Sequence, residues 1–112
     1  MKKINLGNTN LHVSKLCFGG GPLGNMPQAF GHEVSFAEST ETISSIFKSS
    51  VNFLDTANNY GQSEVRIGES LSKRGGLPES FIIATKADRD PVTNSFSAER
   101  LRFSVEESMS RL

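Results

Sequence analysis

Val51-Asn52-Phe53-Leu54-Asp55-Thr56-Ala57-Asn58-Asn59-Tyr60-Gly61 is the stretch on which the rest of the chain turns. A short apolar run ends in an acid, and a tyrosine follows five residues later beside a glycine. Such a run reads as a buried strand, expected over residues 51–55, whose last side chain leaves the core. Tyr60 then belongs to the loop above it. Phe81-Ile82-Ile83-Ala84-Thr85-Lys86 is a second strand of this kind and ends in a lysine. In a parallel α/β sheet, side chains at the carboxyl ends of the strands meet at the ligand face. Asp55, Tyr60 and Lys86 are therefore expected to form one charged, proton-handling cluster.

Working outward, the N-terminal side begins with strand-like pieces at residues 2–6 and 11–13, separated by Gly7-Asn8-Thr9-Asn10. That is turn chemistry, and it predicts a hairpin. Lys15-Leu16-Cys17-Phe18 reads as the first core strand, closed by Gly19-Gly20-Gly21-Pro22-Leu23-Gly24. Residues 25–34 read as an irregular loop. Ser35 and Glu38 match a capping box, and a helix is expected over about 36–49. Its apolar face is Phe36, Thr40, Ile43 and Phe47, with Ile46 beside them.

On the other side of the decisive stretch, a second helix is expected over roughly 63–73, with Ile67 and Leu71 four apart. Gly68 within it would let the helix press against a neighbour. Gly75-Gly76-Leu77-Pro78 stops it. Residues 87–96 are polar and form a loop. Ser97 caps a third helix, with Leu101, Val105, Met109 and Leu112 as its apolar stripe and Glu107–Arg111 as a surface ion pair. The order is a hairpin followed by strand–helix three times, which argues for a parallel sheet. Three strands cannot close a barrel, whereas a full (β/α)8 barrel takes about 250 residues. The predicted fold is thus α/β: an N-terminal β-hairpin followed by the first three βα units of a (β/α)8 TIM barrel, incomplete, over residues 1–112. The third helix stops on a stripe residue without a cap, which points to a truncated chain.

Composition narrows the function. The 112 residues hold 12 Lys+Arg and 12 Asp+Glu, so the net charge is zero. No basic field invites nucleic acid or an anionic membrane. Cys17 is the only cysteine, so no intrachain disulfide forms, in keeping with a reducing compartment. Polar residues break up the N-terminus, so no secretion signal is read, and no run is long enough to cross a bilayer. A cytoplasmic location is expected.

Each candidate motif has a plainer reading. Residues 19–24 satisfy G-x-G-x-x-G, a dinucleotide-binding turn. That motif must open a helix, and Pro22, Pro27 and the late cap at Ser35 argue against it. The preferred reading is a tight turn whose glycines let a flat ligand approach the backbone. Asp55, Tyr60 and Lys86 taken singly would be a cap or ion pair, a packing residue and a solvated surface charge. Their joint placement favours chemistry. A phenol titrates near 10, a neighbouring ammonium favours its ionised form, and a carboxylate holds the lysine. The trio is a general acid with its tuning partners. His12 and His32 have no cluster of ligands at metal spacing, so no metal is proposed. Cys17 reads as a small core residue.

At these residues the chain resembles the aldo-keto reductases. The likeness runs through Leu6-Gly7-Asn8-Thr9-Asn10-Leu11-His12-Val13-Ser14, Phe53-Leu54-Asp55-Thr56-Ala57 with Tyr60-Gly61, Ser63-Glu64, Ile67-Gly68, Leu71, Thr85-Lys86, and Ser104-Val105-Glu106-Glu107-Ser108 before Arg111-Leu112. The resemblance implies a (β/α)8 barrel with a hairpin plugging its bottom, moving hydride between NADP or NAD and a small-molecule carbonyl or sugar. It implies Tyr60 as proton donor, with Lys86 and Asp55 as catalytic partners, and Gly20, Gly21, Pro22 and Asp55 on the nicotinamide side. The family's catalytic histidine would lie beyond Leu112, so this chain alone is expected to be inactive. The Pro22-Leu23-Gly24-Asn25 turn and Phe96-Ser97-Ala98 are similar to the branch that oxidises sugars at C1. An alternative is a non-catalytic binding or regulatory protein on a truncated scaffold of this family. If complete at this length, it would cover its open sheet edge by self-association.

Overall fold

The computed structural model describes residues 1–112. Strands β1 (Lys3–Asn5) and β2 (His12–Ser14) form the antiparallel hairpin expected of the Gly-Asn-Thr-Asn turn. Strands β3 (Phe18–Gly19), β4 (Phe53–Asp55) and β5 (Ile82–Ala84) form a parallel sheet in the order β3-β4-β5. The register pairs Gly19 with Asp55, and Asp55 with Ala84. All three strands are shorter than the apolar runs that announce them. The first begins only at Phe18, because Lys15, Leu16 and Cys17 are exposed and lead in from the hairpin without strand pairing.

Residues 25–34, expected to be irregular, contain a single turn of helix, α1 (Pro27–Phe30), ended by Gly31 at φ 77°. Pro27 opens it because proline suits a first helical turn. A turn of 3₁₀ helix, Gly21–Gly24, precedes it. No long helix follows the glycine run, so the dinucleotide turn lacks the helix it requires.

Helix α2 (Phe36–Lys48) begins at the predicted capping box: Ser35 Oγ accepts from the Glu38 amide, and the Glu38 carboxylate accepts from the Ser35 amide at 2.7 Å. Helix α3 spans Ser63–Arg74 and helix α4 spans Ala98–Arg111, the latter capped by Ser97 as expected. Leu54, fully buried, is the centre of the core. Ile43 and Ile46 of α2, Ile67 and Leu71 of α3, Leu23 and Phe81 close around it. Burying side chains of this size contributes roughly 1.5–3 kcal/mol each.

The period of two in a strand sends alternate side chains to opposite faces. Phe18, Leu54 and Ile83 point to the helices. Cys17, Gly19, Phe53, Asp55, Ile82 and Ala84 fall on the other face, where no helix lies. This corrects the reading of Cys17, which is exposed rather than a core residue.

Two helix faces also differ from expectation. Ser39, not Phe36, lies in the buried line of α2, and Phe36 is exposed with Arg66 and Lys73 over its ring. In α4, Leu101, Val105 and Met109 are exposed, and the buried positions are Ser104 and Ser108. The expected Glu107–Arg111 pair forms at 3.0 Å, but half-buried rather than on the open surface. Gly68 behaves as read: a methyl group there would stand 1.6 Å from the Arg111 carbonyl oxygen, so α3 and α4 meet at that glycine.

Asn52, buried just before β4, ties the hairpin to the sheet. Its Oδ1 accepts from the Ser14 amide at 2.7 Å, and its Nδ2 donates to the carbonyls of His12 and Ser80. The hairpin therefore lies at the amino end of the strands, opposite the end where Asp55 and Lys86 emerge.

Candidate active site

Asp55 is the last residue of β4, and Lys86 follows β5 by two. Parallel register brings them together: Lys86 Nζ donates to Asp55 Oδ2 at 2.6 Å and to the Thr56 carbonyl at 2.9 Å. The ammonium also lies 5.0 Å from the centroid of the Tyr60 ring, a cation–π distance. The three residues singled out in the sequence thus form one cluster. Partial burial alone would lower the Lys86 pKa. The Asp55 hydrogen bond and charge, with smaller contributions from Tyr60, outweigh it and hold the ammonium above its ordinary value. Cys17 feels the same cluster: partial burial and the Asp55 carboxylate push its thiol up, against weaker opposing effects of the Asp55 backbone and Lys86.

Tyr60 sits on a loop bonded along its length. The Thr56 amide donates to Ala84, the Asn58 amide to Lys86, and the Ser63 amide to the Tyr60 carbonyl at 2.9 Å. The glycine turn braces it from the other side. A side chain at Gly24 would stand 1.9 Å from the Tyr60 carbonyl oxygen, so only glycine lets the two loops touch.

Gly20 and Gly21 are used by the protein itself. The Gly20 amide donates to the Asp55 carbonyl at 2.7 Å, and the Gly20 carbonyl accepts from Ser63 Oγ at 2.8 Å. Gly21 lies under the Phe30 ring, 2.8 Å from where a Cβ would be. Pro22 is exposed. Gly19, beside Asp55 in register, has nothing within 4 Å of its Cβ position and leaves open room on the helix-free face.

Sequence reasoning missed the polar layer behind the cluster. Glu64 is 1% exposed, accepts the Thr85 hydroxyl at 2.6 Å and pairs with Arg111 at 3.1 Å. Arg66, also buried, donates to the carbonyls of Leu23 and Val34 and to Ser39 Oγ. The available signal was the spacing Glu64, Ile67, Leu71, which puts a charge on the buried stripe of α3.

A paired acid and lysine beside a phenol, at the carboxyl ends of parallel strands, marks an α/β protein of the kind that binds ligands at that end of its sheet. The chain belongs to the Aldo/keto reductase family, whose sequence profile matches residues 15–112. It is 39% identical over 109 residues to the L-galactose dehydrogenase of Arabidopsis thaliana, covering 96% of this chain and 33% of that protein. It is 35% identical over 89 residues to the NADH-specific methylglyoxal reductase of Escherichia coli (strain K12), covering 77% of this chain and 26% of that one. An aldo-keto reductase of Bacillus halodurans, solved in its holo form, superposes with a TM-score of 0.75 at 28% identity, over 100% of this chain and 36% of its own. The chain thus spans about a third or less of the length of these curated relatives.

Proposed function

We propose that the protein carrying this chain is an NAD(P)-dependent oxidoreductase acting on a small-molecule carbonyl or alcohol, with Tyr60 as proton donor and Lys86 and Asp55 as its catalytic partners. The observation behind the reading is the Lys86 ammonium, 2.6 Å from Asp55 and 5.0 Å from the Tyr60 ring centroid. Bound at this face, NADP or NAD would supply hydride to a carbonyl carbon or take it from an alcohol. Tyr60 donates its hydroxyl proton to the carbonyl oxygen as charge builds there, and takes it back in the oxidative direction. Lys86 stabilises the negative charge left on the Tyr60 oxygen. Asp55 and the Thr56 carbonyl keep Nζ from swinging away. The open room beside Gly19 suits the flat edge of a nicotinamide, with Gly20, Gly21, Pro22 and Asp55 on the cofactor side.

A sugar oxidised at C1 is the favoured substrate, because the relative with 39% identity is named for L-galactose. In this reading the hairpin and three strand–helix pairs are the first three units of a (β/α)8 barrel. The helix-free face with Cys17, Phe53 and Ile82 is then barrel interior, and the 112 residues alone are inactive. Tyr60→Phe in the full-length protein, assayed with L-galactose and NAD or NADP, is expected to lower kcat about 10²-fold or more. A kcat near wild type would overturn the assignment.

A further inference from the structure

Tyr60 and Lys86 come from different segments, and the ion pair that holds the Lys86 ammonium is solvent-exposed: the Lys86 and Asp55 side chains are 47% and 40% exposed. An exposed ion pair holds geometry weakly, whereas proton transfer is sensitive to displacements of about 1 Å. Two bonds join the segments directly, Lys86 Nζ to the Thr56 carbonyl at 2.9 Å and the Asn58 amide to the Lys86 carbonyl at 3.2 Å, and a buried network behind them adds to these. Arg111, on the last turn of α4, bonds directly to the Tyr60 loop and reaches the Lys86 segment through Glu64 and Thr85. Its Nη1 donates to the Asn58 carbonyl at 3.1 Å, two residues before Tyr60, and to Glu64 Oε2 at 3.1 Å. Glu64 Oε1 accepts the hydroxyl of Thr85 at 2.6 Å, and Thr85 directly precedes Lys86. Nη2 is fixed by Glu107 at 3.0 Å. Asn58 is held from the same helix: Nδ2 donates to the Ser104 carbonyl at 3.2 Å, and Oδ1 accepts from Arg100 at 3.1 Å. Asn58 and Glu64 are both buried, so slack in these bonds would strand polar groups away from water. The guanidinium fork has fixed geometry, which an ammonium does not reproduce.

We propose that Arg111, through Glu64 and Thr85 on one side and Asn58 on the other, is a positioning residue that sets the spacing between Tyr60 and Lys86. The proposal rests on the reading of Tyr60 as proton donor. Its logic is a brace: one planar cation holds the loop that carries the phenol and, through the Glu64 carboxylate, the strand end that carries the ammonium.

The test is a kinetic cycle in the full-length protein with L-galactose and NAD or NADP: wild type, Arg111→Lys, Thr85→Val, Tyr60→Phe, and each of the first two combined with Tyr60→Phe. Arg111→Lys and Thr85→Val are each expected to lower kcat about tenfold or more, with KM within about twofold. In the Tyr60→Phe background the same changes are expected to have almost no further effect, because a brace acts only through the group it positions. Equal losses in both backgrounds, or no loss in kcat, would make the network structural only and overturn the inference. Thr85→Val removes a single hydroxyl at an exposed position, so it carries the test if Arg111→Lys fails to fold. Tyr60→Phe with wild-type kcat would instead overturn the parent reading, and the inference with it.

Discussion

Helix α3 is packed in two unlike ways. Towards α2 it buries Ile67 and Leu71 against Ile43 and Ile46. Towards α4 it presents Glu64 and Gly68, and α4 answers with Arg111, while the buried Ser104 and Ser108 accept from Asn58. The first contact is the ordinary apolar kind. The second is a hydrogen-bonded layer in which no buried side-chain polar atom lacks a partner. The apolar contact depends on volume and tolerates some repacking. The polar one depends on direction, and losing one partner strands another. The directional contact is the one that lies behind the Asp55, Tyr60 and Lys86 cluster.

That contrast can be broken by substitution, and the expected effects descend in size. Glu64→Ala removes one acceptor of Arg111 and the acceptor of the Thr85 hydroxyl, and a loss of about 3 kcal/mol is expected from breaking a buried pair. Urea denaturation would read it, and a loss under about 1 kcal/mol would mean that the polar layer behaves like a surface pair. Gly68→Ala places a methyl group against the Arg111 carbonyl. It should cost about 1–3 kcal/mol by overpacking, with α4 moving outward, and an unchanged denaturation midpoint would contradict the close approach. Met109→Ser tests the exposed stripe of α4. At 78% exposure the expected change stays within about 0.5 kcal/mol, and a large destabilisation would show that this face is buried in the protein as it exists.

The smallest effect concerns pH. The Lys86 pKa is raised in the folded chain, so its contribution to stability is complete below the ordinary lysine value of about 10.4. It fades as pH rises through the higher folded value. Water screens the half-exposed pair, so the change is small. Thermal melts of wild type and Lys86→Met should differ at pH 9 and converge at strongly alkaline pH. A gap that stays constant would mean Lys86 stabilises by packing alone.

Much of this was readable in the residues. The Ser35–Glu38 capping box, the Ser97 cap, the hairpin turn and the end of α3 at Gly75 rest on contacts between residues a few positions apart. Asp55 and Lys86 were legible because each closes an apolar run, and parallel pairing brings such ends together. Other features were not. Cys17 looked like core because an apolar run does not reveal which face is covered. The stripe of α4 looked like its buried face because Leu101, Val105 and Met109 have the right spacing, yet the face chosen was the one that could satisfy Asn58 and Glu64. Burying those groups unpaired would be costly, so this face is the one turned to them.

What the sequence determined by itself was local and periodic: where each element starts and stops, the alternation of strand and helix, and the two strand ends that carry charge. Tertiary structure alone decided which face of α4 is buried, why Gly24 must be glycine against the Tyr60 loop, and that Arg111 bonds to the loop before Tyr60 and, through Glu64, is linked to Thr85 beside Lys86. The physical reason is range. Caps and periodicity act within one or two helical turns, whereas a buried hydrogen-bond network depends on groups far apart in the chain, whose distances exist only once the sheet and helices are assembled.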